Sequence, residues 1–377
     1  MEHELCWLWL TSRLGGAHAK IKSLVEFFGS VEEIYRSKRF HNTRLSSDEI
    51  SLLMNKDLSG VKKICDELAR IDGKIVIIDS EAYPRILKEA HNPPPVLYCK
   101  GKIPSLDDVL TIGVVGTRRT SEYGRLVTKR ICANLAKAGA VTVSGMADGI
   151  DAIGAWATIE EGGLAVGVIG SGIDIAYPPE NADLYEAITE KGCIITEFPP
   201  GTPPAKKNFP IRNRIIAGLS RGVLVTEAPE KSGALITARL AMEEGRDVFA
   251  VPRNISDIKY NGTNILIQQG AKLVMHPNDI LCEYPYAKKI EPQKSAAKPE
   301  KAVKPVNPHN DGGERLKSLS EKEREIVELL IKGDRQIDEL SRELKAPVGE
   351  LNTRLIMLEM KGIVTKLPGS MYKLKID

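Results

Sequence analysis

Eight short apolar segments recur between residues 75 and 284, and they alternate with stretches that have helical spacing. The segments read KIVIID, LTIGVVG, AVTVSG, AVGVIG, GCIITE, GVLVTE, DVFAVP and AKLVM. They are almost continuously apolar, which is typical of parallel strands buried on both faces of a sheet. The intervening helices are predicted to begin near Glu122, Gly149, Glu180, Pro210, Ala234 and Thr263. This repetition predicts an α/β fold with a doubly wound, Rossmann-like parallel sheet.

Two regions flank this central part and differ from it in pattern. Apolar residues recur at helical spacing over residues 1–75, where LGGAHAKIKSLVEFFGSVEEI resembles a small helix-hairpin-helix or SAM-like module. A plain helical cap on the next domain is the alternative interpretation. Residues 315–377 show three helical patterns followed by GIVTKLPGSMYKLK, which predicts a hairpin with a Pro-Gly turn. Three helices and a hairpin are typical of a winged helix.

The segment between the central region and the predicted winged helix is rich in Lys, Pro and Ala and has almost no large apolar residues. Such a composition predicts an extended, flexible linker. The expected domain division is therefore 1–75, 76–284, 285–314 and 315–377.

Composition and charge limit the cellular compartments and the binding partners that are possible for this chain. The 377 residues are 42% apolar and 27% charged, with a net charge of only +3, so binding to nucleic acid requires a local basic patch. The six cysteines form no CxxC pair, which argues against a zinc site or a disulfide framework and fits a reducing cytosol. The first residues make a poor signal peptide, and no segment is long and apolar enough to span a membrane. We expect a soluble, cytoplasmic protein.

Polar and glycine-rich motifs follow nearly every predicted strand. They are GTRRTSEYG (116–124), SGMADGID (144–151), GSGIDIAYPPEN (170–181) and TEFPPG (196–201), and two more lie within Phe209–Ala238. In an open parallel sheet, ligands bind beyond the carboxyl ends of the strands at the topological switch point. The repeated motifs therefore predict a binding surface along this edge of the sheet.

The segment Phe209–Ala238 predicts an anion site within that surface. It places the RNR triplet, residues 212–214, just inside one helix and a Ser-Gly turn at the start of the next, with the short strand GVLVTEA between them. A helix N-terminus presents amide groups without partners, and beside guanidinium groups it favours anions, most often phosphate.

Several classes of site are missing from the sequence. Gly113 and Gly116 do not have the spacing of a dinucleotide-binding GxGxxG motif, and no GK[ST] of a P-loop occurs. The carboxylates Asp148, Asp151 and Asp174 have no histidine near them in the loops, because all six histidines lie elsewhere. We therefore expect no catalytic residues, no metal and no cofactor.

The ordered set VVGTRR, SGMADGID, FPIRNRIIAGLS and EKSGALITARLAMEEGR, together with YPRILKEAHNPPPVLYCKG, closely resembles the DNA-processing protein A family, also called Smf, which acts in bacterial natural transformation. The resemblance covers nearly the whole chain. It implies a protein that is not an enzyme, binds single-stranded DNA, forms a homodimer through its central domain, and loads the RecA recombinase past single-strand-binding protein.

The resemblance and the chemistry of the loops together indicate sequence-independent contacts to DNA. Arg118, the strongest single candidate, and Arg119 suit bidentate phosphate contacts, while Lys206 and Lys207 place cations beside Phe209, on which a base can stack. The full candidate set is Gly116, Thr117, Arg118, Arg119, Ser144, Gly145, Gly170, Ser171, Lys206, Lys207, Phe209, Arg212, Asn213, Arg214, Ser232 and Gly233.

Structural roles are alternatives for some of these residues and for one neighbour. Asn213 and Arg214 are equally suited to tying loops together, Ser232 is equally suited to capping a helix, and Asp151 is expected to cap or brace one. The chain also departs from the family pattern, because Ala155 stands where the family usually has histidine.

The predicted third helix of the winged helix presents a nearly neutral outer face. Arg354 and Lys361 stand beside Glu350 and Glu359, while Leu351, Leu355 and Leu358 form the inward stripe. This balance favours contact with a protein, or a modest auxiliary DNA contact, over major-groove reading.

Two other functions are compatible with the predicted sheet. One is hydrolysis of nucleotide N-glycosidic bonds, as in the lysine-decarboxylase-like group, although PEKSGALITA stands here in place of that group's PGGxGTxxE signature. The other is a transcription regulator that senses a nucleotide through the sheet and reads duplex DNA through the C-terminal domain.

Overall fold

The computed structural model describes residues 2–15, 18–288, 290, 321–331, 333, 335–344, 346–360, 363–367 and 371–374. The chain forms two compact units, Met1–Ser295 and Ala296–Asp377. Apart from 285–288 and 290, the predicted linker 285–314 lies outside the described residues, and the fourfold domain division stays a prediction.

The first unit begins with five helices, α1 (Glu2–Leu14), α2 (His18–Phe28), α3 (Val31–Arg36), α4 (Ser47–Met54) and α5 (Ser59–Arg70). Side-chain caps explain where two of these helices begin. Ser30 caps the N-terminus of α3, and Ser46 forms a capping box with Glu49 at the N-terminus of α4. Trp9 and Leu10 of α1 are fully buried and share a core with strand residues such as Val96. The helical prediction is confirmed, whereas the SAM-like assignment stays a prediction.

A nine-stranded sheet forms the centre of the first unit. Its strands are β1 (Gly73–Ile77), β2 (Val96–Gly101), β3 (Thr111–Val115), β4 (Val141–Ser144), β5 (Ala165–Val168), β6 (Cys193–Thr196), β7 (Gly222–Val225), β8 (Asp247–Ala250) and β9 (Lys272–Leu273). The order across the sheet is β1-β2-β6-β5-β4-β3-β7-β8-β9, and all neighbours from β6 to β9 are parallel. The predicted doubly wound parallel sheet is confirmed.

One end of the sheet corrects the sequence analysis. The segment KIVIID was predicted among the parallel strands, but β1 pairs antiparallel with β2, which in turn pairs antiparallel with β6. The prediction was wrong because the connection 78–95 carries only the four-residue helix α6 (Arg85–Lys88) and makes no parallel crossover. Strand β2, with the sequence VLYCKG, was not predicted.

Helices cover both faces of the parallel strands. They are α7 (Glu122–Lys137), α8 (Ile150–Glu160), α9 (Ala182–Lys191), α10 (Asn208–Leu219), α11 (Gly233–Glu243), α12 (Gly262–Gln268) and α13 (Asn278–Leu281), and those predicted begin within two residues of the expected positions. Successive β3 side chains point to opposite faces, so Val114 packs in the core shared with α7 and α8, and Val115 in the core shared with α10 and α11.

The strand order creates a topological switch point between β3 and β7. The chain moves from β3 through β4 and β5 to β6, then returns to place β7 on the other side of β3. The loops that leave the two strands consequently run to opposite sides and open a crevice at the carboxyl ends.

The second unit contains α14 (Glu321–Ile331), β10 (Arg335–Gln336), α15 (Ile337–Leu344), α16 (Val348–Met360), β11 (Val364–Leu367) and β12 (Met371–Leu374). Its strands pair in the order β10-β12-β11, and Leu351, Leu355 and Leu358 are buried as expected. Three helices and a hairpin confirm the predicted winged helix; the predicted Pro-Gly turn lies outside the described residues. Across the described parts of both units, no helix combines the length and the hydropathy needed to cross a membrane.

Candidate functional site

A cleft of about 340 Å³ occupies the switch point. Its walls come from the carboxyl end of β3 with the following residues 116–118, the start of α8, one face of α10, and the first turn of α11. Of the sixteen predicted site residues, the cleft brings together Gly116, Thr117, Arg118, Phe209, Arg212, Asn213, Ser232 and Gly233. The switch-point cleft therefore joins the first strand motif to both motifs of Phe209–Ala238.

The loop that follows β3 is held rigidly by hydrogen bonds. The Thr117 amide donates to the Glu227 carbonyl at 2.8 Å, and the Thr117 hydroxyl accepts from the Arg119 amide at 3.2 Å. The Tyr260 hydroxyl donates to the Arg119 carbonyl at 2.8 Å. Because backbone and hydroxyl groups do the anchoring, the Arg118 and Arg119 side chains extend into solvent.

Arg118 presents its charge beside an aromatic face. Its guanidinium carbon lies 5.6 Å from the centroid of the Phe209 ring, within the range of a cation–π contact. It has no carboxylate partner within the described part of the chain. An anion therefore does not have to displace an existing ion pair to reach Arg118.

The start of α10 adds an aromatic platform with further cations. Phe209 stacks on Tyr177, with ring centroids 5.7 Å apart and planes 27° apart. A Cβ at Gly170 would lie 3.0 Å from the Phe209 ring, so this glycine permits the close packing beneath it. Lys206 and Lys207 are exposed just before the ring.

Arg212 lies inside the site and not on its surface. Its Nη1 donates to the Gly145 carbonyl at 2.6 Å and to the Val168 carbonyl, and its Nε donates to Asn213 Oδ1 at 3.2 Å. Burial lowers the pKa of Arg212 to about 10, which leaves it charged at neutral pH. A Cβ at Gly145 would lie 2.6 Å from Arg212 Nη2, so the glycine makes room for the guanidinium.

Asp151 lines the floor of the switch-point cleft. One carboxylate oxygen accepts from the Gly145 amide at 2.9 Å, which fits the expected bracing role at the start of α8. Burial raises the pKa of Asp151 to about 6, although the Arg212 charge and backbone hydrogen bonds act in the opposite direction. Asp151 and Arg212 are thus opposite charges that act on each other beneath the cleft, while each is hydrogen-bonded to the backbone.

The first turn of α11 supplies the amide groups expected of an anion site. Ser232 occupies the N-cap position but makes no capping hydrogen bond, and its buried hydroxyl has no hydrogen-bond partner among the described residues. Space around Gly233 is open, since a Cβ there would meet no atom within 4 Å. This helix end can accept a phosphate group without rearranging existing contacts.

Three of the other predicted site residues, Ser144, Ser171 and Arg214, do not line the cleft. Ser144 and Ser171 are buried, and Ser171 donates to the Ile175 carbonyl at 3.2 Å. Arg214 donates to Glu197 Oε2 at 2.6 Å and lies 2.7 Å from His18 Nε2. These contacts tie α2 to the sheet and fit the scaffolding alternative for Arg214.

Ala155 packs inside the protein. Its side chain is buried in the same apolar core as Ala152 and Ile159. The position at which the resembled family usually has histidine therefore carries no polar group toward the switch-point cleft in this chain.

A buried ion pair that was not predicted from the sequence supports the loop after β3. The buried Glu227 carboxylate accepts from the Ser121 amide at 2.8 Å and lies 3.0 Å from Arg253 Nη1. Arg253 also pairs with Asp257. The sequence feature that could have predicted this ion pair is Glu227 in GVLVTEA. It directly follows a buried strand, and a buried carboxylate requires a partner.

Family models match both the region of the nine-stranded sheet and the C-terminal domain. The family model described as DNA recombination-mediator protein A matches residues 74–285, and the DprA winged helix domain matches residues 313–370. A similar curated protein is the DNA processing protein DprA of Bacillus subtilis, which is 44% identical over 208 residues, covering 55% of this chain and 70% of that protein.

Two solved structures share the fold. The DNA processing protein A of Streptococcus pneumoniae aligns with a TM-score of 0.66 at 34% identity, covering 73% of this chain and 96% of that one. The Helicobacter pylori protein, described as having a unique single-stranded DNA binding mode, aligns with a TM-score of 0.52 at 29% identity, covering 58% and 97%.

Proposed function

The chain belongs to the DNA recombination-mediator protein A family, and on that premise we propose that it binds and protects incoming single-stranded DNA at the switch-point cleft and loads RecA onto it during natural transformation. Its general role is that of a DNA-processing recombination mediator. The Helicobacter pylori relative is described as binding single-stranded DNA, which supports the choice of ligand.

The observation that carries the proposal is the exposed Arg118 guanidinium beside the Phe209 ring. A guanidinium group grips phosphate, and an aromatic ring stacks on any base, so the pair fits a single strand without regard to sequence. Lys206 and Lys207 extend the positive charge, and the first turn of α11 offers amide groups to a second phosphate. Binding is expected to weaken steeply with salt.

The proposed role includes no catalytic step. The buried charged groups of the switch-point cleft, Asp151 and Arg212, are already hydrogen-bonded to backbone groups, which suits a structural role. Among the described residues, no group of three or more His, Cys, Asp or Glu side chains is arranged to hold a metal ion.

The proposal includes a homodimer through the central sheet, contact with single-strand-binding protein, and a cytoplasmic location. Exposed apolar side chains on and just after the last strand support the homodimer, since Leu273 and Met275 are 40% and 77% exposed. Exposed apolar side chains at a sheet edge are typical of a surface that a partner covers.

The test compares two arginines of similar chemistry. We expect Arg118→Ala to weaken single-strand binding at least about tenfold, or about 1.4 kcal/mol, in a salt-controlled titration, because it removes a phosphate contact and a ring partner. The same variant is expected to slow RecA assembly on strands coated with single-strand-binding protein. Arg354→Ala is the matched control, because Arg354 already pairs with Glu350 on α16.

Three results would contradict this function. Unchanged affinity in Arg118→Ala would remove the switch-point cleft from the binding site. Release of a base from nucleoside monophosphates by the purified protein would identify a hydrolase. Tight, sequence-selective duplex binding would identify a transcription regulator.

A further inference from the structure

A second basic surface lies on the N-terminal helices, away from the switch-point cleft. No acidic residue occurs between Glu33 and Asp48, and four cations there are exposed: Arg36, Lys38, Arg39 and Arg44. Arg36 pairs with Glu33 at 3.1 Å, whereas the other three have no ion-pair partner among the described residues. We call residues 36–44 the basic loop.

The basic loop is anchored, so its cations are held in defined positions. Phe40 is buried, its ring lies 5.6 Å from that of Phe28, and Lys56 Nζ lies 5.4 Å from its centroid. The Thr43 hydroxyl donates to the Phe40 carbonyl at 2.6 Å, and Ser37 donates to the Arg39 carbonyl at 2.7 Å. An anchored loop loses less conformational entropy when a ligand binds.

An exposed aromatic ring shares a groove with this loop. The groove, of about 580 Å³, is lined by Phe27 and its α2 neighbours on one side and by residues 42–45 on the other. The Phe27 side chain is 58% exposed, and its ring contacts Phe28 edge-on with centroids 5.0 Å apart. Of the basic-loop cations, Arg44 lines the groove, which also contains Lys20, paired with Glu49, and the exposed Glu26. A cation beside an exposed ring is a combination that binds single-stranded nucleic acid, with stacking worth about 1–3 kcal/mol per base.

Helix α2 connects this groove to the proposed DNA site. His18, at the start of α2, and Lys207, at the start of α10, line the same cavity of about 560 Å³. The eleven residues of α2 span about 16 Å. A strand held at Lys207 therefore needs only a few more nucleotides to reach Phe27.

We propose that the groove between α2 and the basic loop is a second contact for the same single strand. The DNA path then runs from the switch-point cleft past Lys207 and along α2 to Phe27, Arg39 and Arg44. This inference rests on the proposed function and extends it, because it assigns the N-terminal helices a part in binding.

The test uses oligonucleotides of two lengths and the full chain. For the triple variant Lys38→Ala, Arg39→Ala, Arg44→Ala, we expect affinity for a strand of about 30 nucleotides to fall about tenfold, while affinity for roughly 6 nucleotides is unchanged. The slope of log affinity against log salt should become shallower by about 2, since each phosphate that a cation neutralises on a single strand accounts for about 0.7 of that slope. Phe27→Ala should weaken binding of the long strand without changing the slope.

The matched control is the triple variant Lys62→Ala, Lys63→Ala, Arg70→Ala, which removes three exposed cations from α5. It should bind both lengths like the parent chain. If the basic-loop variant binds the long strand normally while Arg118→Ala weakens both lengths, the inference is wrong and the proposed function stands. The inference would also be wrong if the basic-loop variant lost more affinity for duplex DNA than for single-stranded DNA. If Arg118→Ala changes the affinity for neither oligonucleotide length, the proposed function itself is wrong.

Discussion

Four arginines of the central region differ in what their guanidinium groups contact. Arg118 is exposed beside Phe209, Arg212 donates to buried carbonyls, Arg214 pairs with Glu197, and Arg253 pairs with buried Glu227. The local motifs TRRT and IRNR look alike as candidates for phosphate binding. Only the packing around each side chain distinguishes Arg118, which is accessible to a ligand, from the three arginines whose contacts stabilise the surrounding structure.

At the same scale, Asp151 predicts a dependence on pH. Its pKa of about 6 lies above the ordinary 3.8, so its contribution to stability is full below pH 3.8 and is lost as the pH rises through about 6. That contribution amounts to about 3 kcal/mol, and Asp151→Asn should abolish this pH dependence of the free energy of unfolding.

Ionisation of Asp151 should also affect DNA binding. The added negative charge, which lies near Arg212, should weaken single-strand affinity on the order of threefold between about pH 5 and pH 7. No histidine is among the described residues that line the switch-point cleft, so Asp151 is the group expected to titrate there. If the single-strand affinity of Asp151→Asn changes with pH as much as that of the parent chain, Asp151 is not the group that titrates.

At the scale of elements, the loop between β3 and α7 depends on a buried ion pair. Replacing Glu227 by Gln removes the charge that faces Arg253 and places an amide donor beside the guanidinium. We expect a loss of about 3 kcal/mol in the free energy of unfolding, or a fall of roughly 5–10 °C in Tm, and weaker DNA binding because the loop carries Arg118.

The control for this prediction is an exposed ion pair of the same kind. Glu160 lies 3.0 Å from Lys129, and their side chains are 53% and 63% exposed. Glu160→Gln should change Tm little, because exposed pairs contribute about 0–1 kcal/mol. Equal melting temperatures for Glu227→Gln and the parent chain would show that the loop does not need the pair.

At the scale of the whole molecule, the two units are expected to contribute unequally to DNA binding. A chain that ends at Ser295 retains the switch-point cleft and the basic loop. Arg354 on α16 is already paired with Glu350, so removing the second unit should change single-strand affinity by less than about threefold. The measurement is a titration at fixed salt, and a tenfold loss would assign DNA binding to the winged helix.

The α/β class, the parallel core of the sheet, the winged helix and the family could be predicted from the amino-acid sequence alone. These follow from local patterns, because a strand buried on both faces is continuously apolar and a loop that approaches a ligand needs glycine at defined spacing. The antiparallel β2 escaped prediction because its pairing depends on which distant strand lies beside it.

Which residues form the site depends on how the chain packs in three dimensions. Burial placed Arg212 beneath the switch-point cleft and left Arg118 at its surface, and it gathered Glu227 and Arg253 from separate segments to hold one loop. A charged side chain can bind a ligand only when its own hydrogen bonds and ion pairs leave it available. That property depends on neighbours that are far away in the sequence.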